Sequence, residues 1–207
     1  RFMPYVYVLP LRHPVLVAKQ LATAAFFSGN RMVLGIGTGW LGEEFELLDQ
    51  AWARRGERTD EMLEIIAALI TGRDTEYHGR HYDFGAVRMA PVPSAPVPVM
   101  VGGHSDAALR RAAGADGWLG IDYDLDDLAP IIARLNGFRR ELGSADRPYD
   151  IFAVLKSGLE ASSLARLEEM GVTMTQDYAW LYKGTPTSSF EHKRATMERF
   201  AEQWIQR

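Results

Sequence analysis

The chain has no cysteine among its 207 residues. That excludes disulfides, thiolate metal sites and a cysteine nucleophile, and it is neutral about compartment. It also lacks any apolar run near the roughly 20 residues of a membrane span. Basic charge is not in excess: 23 Lys and Arg stand against 27 Asp and Glu, a formal net charge of −4. Neither nucleic acid nor an anionic membrane is therefore an expected partner. The opening R-F-M-P-Y-V-Y-V-L-P has one basic residue and no small-residue cleavage site. It does not read as a secretory leader, and a cytoplasmic location is expected. The chain enters an apolar run directly after Arg1, so further residues are expected upstream. The remainder is 47% hydrophobic and 24% charged, a globular profile that suits a single domain over residues 1–207.

The stretch R-M-V-L-G-I-G-T-G-W-L-G-E-E, Arg31 to Glu44, carries the most information. Met32, Val33, Leu34 and Ile36 make a strand apolar on both faces, as a parallel strand covered by helices is. Gly35, Gly37 and Gly39 remove every second side chain at its end, which lets a flat ligand approach the backbone. In barrels and doubly wound sheets, ligands bind at the carboxyl ends of strands. The stretch points to a planar cofactor across the end of a parallel β-structure, followed by an acidic turn.

Apolar runs and helical periods alternate along the rest of the chain. Phe2 to Leu9 reads as a strand. A helix opens at His13-Pro14 and runs to Phe27, where Ser28-Gly29-Asn30 stops it. Glu57 to Thr71 is an amphipathic helix with acidic residues near its start. Glu76 to Ala90 alternates loosely and carries two glycines, which predicts a hairpin excursion near 76–91. Strands are expected at Val97–Val101, Asp116–Ile121, Tyr149–Lys156 and Val172–Thr175. Helices are expected at Asp106–Ala113, Leu125–Leu142, Ser162–Met170 and Phe190–Ile205. Six strands alternating with helices predict an α/β fold with a parallel sheet. It is either a (β/α)8 barrel with about six of its βα units present or an open doubly wound sheet.

Several linked motifs decide between these. L-P-L-R-H-P-V-L-V-A-K-Q-L-A-T (Leu9 to Thr23) is joined by S-G-N-R to G-I-G-T-G-W-L-G-E-E. R-R-G-E-R-T-D-E-M (Arg54 to Met62), P-V-M-V-G-G-H-S (Pro98 to Ser105) and A-D-G-W (Ala115 to Trp118) follow in order. Together they resemble the bacterial luciferase-like monooxygenase family, and most of all its deazaflavin-dependent (coenzyme F420) class. The likeness is strong to about residue 121 and weak beyond. It implies a TIM barrel with an insertion after a middle strand, here N-terminally incomplete, since the family's first two strands have no counterpart. It also implies a flavin- or deazaflavin-dependent oxidoreductase acting on a small organic substrate, often as a homodimer. Three functions stay open: F420-dependent hydride transfer, an FMN-dependent monooxygenase using O2, and a non-catalytic ligand-binding member.

The resemblance places Gly37 and Thr38, with Gly39, beside the cofactor ring. Tyr7 and Val8 would back it, and a non-proline cis peptide with a bulge is expected at that strand end. Gly102, Gly103, His104 and Ser105 follow a buried strand and open a helix, the context in which free N–H groups and the helix dipole favour a phosphate. The alternative there is an ordinary turn with Ser105 as N-cap. His104 and Glu44 are the candidates for proton transfer. For Glu43 and Glu44, ion pairs with Arg54, Arg55 or Arg58 are the structural alternative. In some deazaflavin relatives the residue at Trp40 is acidic and implicated in proton transfer, a role tryptophan does not carry over. Trp40 and Trp118, and also Trp180, are expected at an apolar substrate pocket, with core packing as the alternative. His13 reads as a loop residue and Lys156 as a solvated strand end. His78 and His81 form H-x-x-H without a third ligand nearby, so no metal is expected.

Overall fold

A computed structural model of the chain describes residues 1–177 and 189–205. The chain divides into two compact units, Arg1–Leu119 with Leu135–Tyr149, and Gly120–Arg134 with Asp150–Arg207. The first contains β1 (Tyr7–Val8), α1 (Pro14–Phe27), β2 (Leu34–Gly37), α2 (Gly42–Leu47), α3 (Arg55–Leu69), β3 (Thr75–His78), β4 (Asp83–Val87), β5 (Val99–Gly102) and α4 (Asp106–Gly114). It also holds the start of β6 (Gly117–Tyr123). Its main sheet runs β1-β2-β5-β6. The pairings Tyr7↔Ile36, Leu34↔Val99 and Met100↔Gly117 are all parallel. Parallel neighbours need long crossovers, and α1, α3 and α4 provide them.

Local sequence explains these elements. Pro14 supplies the first turn of α1, and left-handed Gly29 and Asn30 (φ 64° and 61°) end it. Val17, Ala18, Leu21, Ala22 and Ala25 form its buried face, and α1 packs on α3. In α3, Met62, Ile65, Ile66 and Leu69 keep the helical period and are buried. Arg111 of α4 reaches back to α3, with Nε and Nη2 on the Asp60 carboxylate at 2.5 and 3.0 Å and Nη2 on the Gly56 carbonyl at 3.1 Å.

The second unit contains the end of β6, the start of α5 (Leu125–Glu141), β7 (Asp150–Leu155), α6 (Ala161–Glu169), β8 (Met174–Thr175) and α7 (Phe190–Trp204). Its strands run β6-β7-β8. Its buried apolar residues include Leu128, Val154, Leu155 and Leu167. The fold is α/β and mostly parallel. It has the strand–helix order of a (β/α)8 barrel, with six barrel strands and seven helices among the described residues. Among those residues no helix is long and apolar enough to cross a membrane.

Two expectations need correction. The strand expected over Phe2 to Leu9 is a two-residue ladder plus one bridge, Phe2↔Met32. Pro4 has no N–H to donate to a ladder. The acidic turn after Gly39 contains a short helix, α2, which buries Phe45.

The predicted hairpin is present as β3 and β4, and it is fastened to α3. The Glu61 carboxylate accepts three consecutive backbone N–H groups at the hairpin turn, from Arg80, His81 and Tyr82, at 2.8, 2.9 and 3.1 Å. Burial acts to raise the Glu61 pKa, and these donors outweigh it and hold the value below the ordinary one. A carboxyl held low in the folded state stabilises above its unfolded pKa. That contribution is lost as pH falls through the folded value. Glu61→Gln is therefore expected to cost about 1 kcal/mol at pH 7. Urea melts should show the gap to the native protein closing in acid.

Candidate cofactor-binding site

Because β1, β2 and β5 are parallel, Val8, Gly37 and Gly102 lie at the same, carboxyl edge of the sheet. The Tyr5–Val6 peptide is cis and non-proline, just ahead of the segment where the resemblance expects one. The Val6 side chain lies over Gly37 and reaches Gly102. A Cβ at Gly37 would lie 2.9 Å from Val6 Cγ2, and one at Gly102 would lie 3.5 Å from Val6 Cγ1. Val6 thus fills the space above Gly37, whereas at Gly102 the tightest neighbour is the Ile36 carbonyl oxygen at 3.3 Å; Val6 itself stays 39% exposed.

Gly39 is held from three sides. Its φ is +82°, and a Cβ there would meet the Phe45 ring at 2.7 Å and Val8 Cγ1 at 2.9 Å. Arg55 Nε donates to its carbonyl at 3.2 Å. The same guanidinium lies 3.5 Å over the Trp52 ring, and Trp52 meets Phe45 edge-on. Nothing in the sequence pattern singles out Val6 or Phe45. Arg55 belongs to the R-R-G-E-R run, and its role emerges only from the fold.

At the end of β5, Ser105 caps α4, its Oγ accepting from Ala108 N at 3.3 Å. Gly103 has φ +115°, and a Cβ there would come within 2.8 Å of Ala108 Cβ. Gly103, His104 and Ser105 are exposed. Among the described residues nothing accepts from the backbone N–H of His104 or Ser105. Exposed, unpaired donors at a helix start fit the phosphate end of a flavin or deazaflavin.

The other sequence-derived candidates are placed as follows. Tyr7 is half-buried beneath the Arg12 guanidinium, 4.3 Å from its ring centre. Thr38 is half-buried, and Trp40 is 84% exposed beside the glycine loop. Trp118 lies wholly in the core, where its indole N–H donates to the Gly103 carbonyl at 2.7 Å. Glu44 is exposed on α2. Glu43 and Glu44 form no ion pair among the described residues; Arg55 turns to Gly39 and Arg58 to the carbonyls of Ala51 and Ala53. No contact joins His104 to Glu44 among those residues. His13 precedes α1 and meets Tyr82 edge-on at 5.9 Å. His78 pairs with Asp83, and Lys156 pairs with Asp124. Trp180 lies outside the described residues.

The luciferase-like monooxygenase family model matches residues 1–204. The chain belongs to this family. An uncharacterized protein of Mycobacterium tuberculosis is 42% identical over 99% of this chain and 72% of its own length. The FMNH2-dependent dimethylsulfone monooxygenase of Pseudomonas putida is 30% identical over 63% of this chain and 39% of its own. In fold, the chain is similar to the coenzyme F420-dependent tetrahydromethanopterin reductase of Methanopyrus kandleri. That match has a TM-score of 0.65 at 20% identity, covering 73% of this chain and 48% of the reductase. The chain thus spans about half the length of that solved structure. Luciferase-like neighbours include both F420-dependent and FMN-dependent enzymes.

Proposed function

We propose that this luciferase-like protein is an F420-dependent oxidoreductase that moves a hydride to or from a small organic substrate. The observation that supports a phosphate-bearing flavin-type cofactor is the Gly102–Ser105 loop, whose N–H groups are unpaired among the described residues and lie on the same sheet edge as Gly37–Gly39. The likeness of the linked motifs to the deazaflavin class favours F420. When bound, the deazaflavin supplies the hydride chemistry. The chain's own residues bind, orient and shield it. The N–H groups of His104 and Ser105 donate to its phosphate. Val6, held over Gly37 and Gly102, presents an apolar, partly exposed side chain at the sheet edge to back the ring. Arg55 and Phe45 hold Gly39 in place. Trp40 offers an exposed aromatic face to the substrate. The His104 imidazole both donates and accepts a proton, which makes it the first candidate for proton transfer, with Glu44 second.

A second reading is an FMN-dependent monooxygenase using O2. The dimethylsulfone monooxygenase at 30% identity favours it. A fluorescence-quenching titration of the protein with F420 and, separately, with FMN tests the choice. Tighter binding of F420 is the expected result. Tighter binding of FMN would move the reaction to oxygen chemistry. Binding of neither would leave a ligand-binding member without turnover.

A further inference from the structure

The Trp118 indole sits behind the phosphate-loop candidate, with none of its surface exposed. It stands opposite Val101 in the β5–β6 ladder, one strand away from the loop it reaches. Its N–H donates to the Gly103 carbonyl at 2.7 Å. The Gly103–His104 peptide is trans, since the cis bonds are Tyr5–Val6 and Ala90–Pro91. In a planar trans peptide, C=O and N–H point in opposite directions. A Gly103 carbonyl drawn into the core therefore turns the His104 N–H outward. The φ of +115° at Gly103 makes this orientation available to glycine, and Ala108 leaves no room for a Cβ. The flipped peptide would present a carbonyl oxygen, which repels an anion.

We infer that Trp118 is a positioning residue: by holding the Gly103 carbonyl inward, it aims the His104 N–H at the phosphate of the cofactor. The inference rests on the cofactor reading above. It assigns Trp118 a role from behind the loop rather than in a substrate pocket.

The test compares each cofactor with its phosphate-free form: FMN with riboflavin, and F420 with its phosphate-free riboside. Trp118→Phe keeps an aromatic ring and removes the N–H. The native protein is expected to prefer the phosphate-bearing form by roughly tenfold or more, as charge-assisted hydrogen bonds do. In Trp118→Phe the ratio should fall towards one while affinity for the phosphate-free form holds. Leu109→Ala, a cavity under α4, should lower the melting temperature and leave the ratio intact. A folded Trp118→Phe with the native ratio would overturn the inference. Should that variant not fold, the native protein decides by NMR. In the FMN complex, a scalar coupling across the hydrogen bond from the Trp118 indole N–H to the Gly103 carbonyl, with a His104 amide shifted by FMN and not by riboflavin, supports the role; absence of the coupling, or equal shifts, overturns it. A native protein that binds neither cofactor removes the cofactor reading itself, and this inference with it.

Discussion

Gly35→Ala is expected to destabilise the protein by about 3 kcal/mol, at the upper end of overpacking costs. The added Cβ would lie 2.3 Å from the Pro4 carbonyl oxygen, 2.9 Å from Met3 Cγ and 3.2 Å from Leu119 Cδ1. The nearest obstacle is backbone, which cannot rotate out of the way. The segment before β1 must move, and the Tyr7↔Ile36 pairing and the seat of Val6 move with it. For a domain of this size the melting temperature should drop on the order of 6–12 °C, measured by calorimetry. Gly42→Ala is the matched control. Its Cβ meets nothing within 4 Å, at the first position of α2. There alanine should be neutral or slightly stabilising.

Ser105→Asp is expected to leave stability nearly unchanged and to weaken cofactor binding by on the order of a hundredfold. Aspartate caps a helix as well as serine does, so the bond to Ala108 N survives. Its carboxylate would stand beside the phosphate. Two like charges a few ångströms apart near a protein surface repel by about 3 kcal/mol, roughly two powers of ten in affinity. Gly103→Asp should abolish binding too, but it is a less selective probe. The positive φ and the contact with Ala108 make any side chain there destabilising. Titration and thermal melts of the two variants separate charge from strain. An unchanged affinity in Ser105→Asp would remove the loop from the site.

How far the sequence revealed the molecule depended on how local the signal was. Helix α1 was legible to the residue, because a proline opens it and Gly29 closes it. The hairpin was legible from its alternation and glycines. Helix α2 was not, because six residues with one buried side chain carry no readable period. Gly37 was read as room for a flat ligand, and it also houses Val6, a contact set by the backbone path and not by composition. Trp118 was legible as an aromatic in a strand, but its side chain faces the core and its partner is a carbonyl in another loop. The arginines after Trp52 suggested ion pairs with Glu43 and Glu44. Arg55 and Arg58 instead satisfy carbonyls of the glycine loop and of the irregular segment that joins α2 to α3. Spacing in sequence shows charge near charge, whereas the unmet carbonyls that compete for those donors exist only once the loop is folded.

The central claim is that the loop from Gly102 to Ser105 binds the phosphate of a flavin-type cofactor. The most direct test is the affinity of the native protein for F420 and FMN set against their phosphate-free forms, read by fluorescence. At least one phosphate-bearing form is expected to bind roughly tenfold more tightly, or better, than its phosphate-free counterpart. Equal affinities, or binding of none, would contradict it.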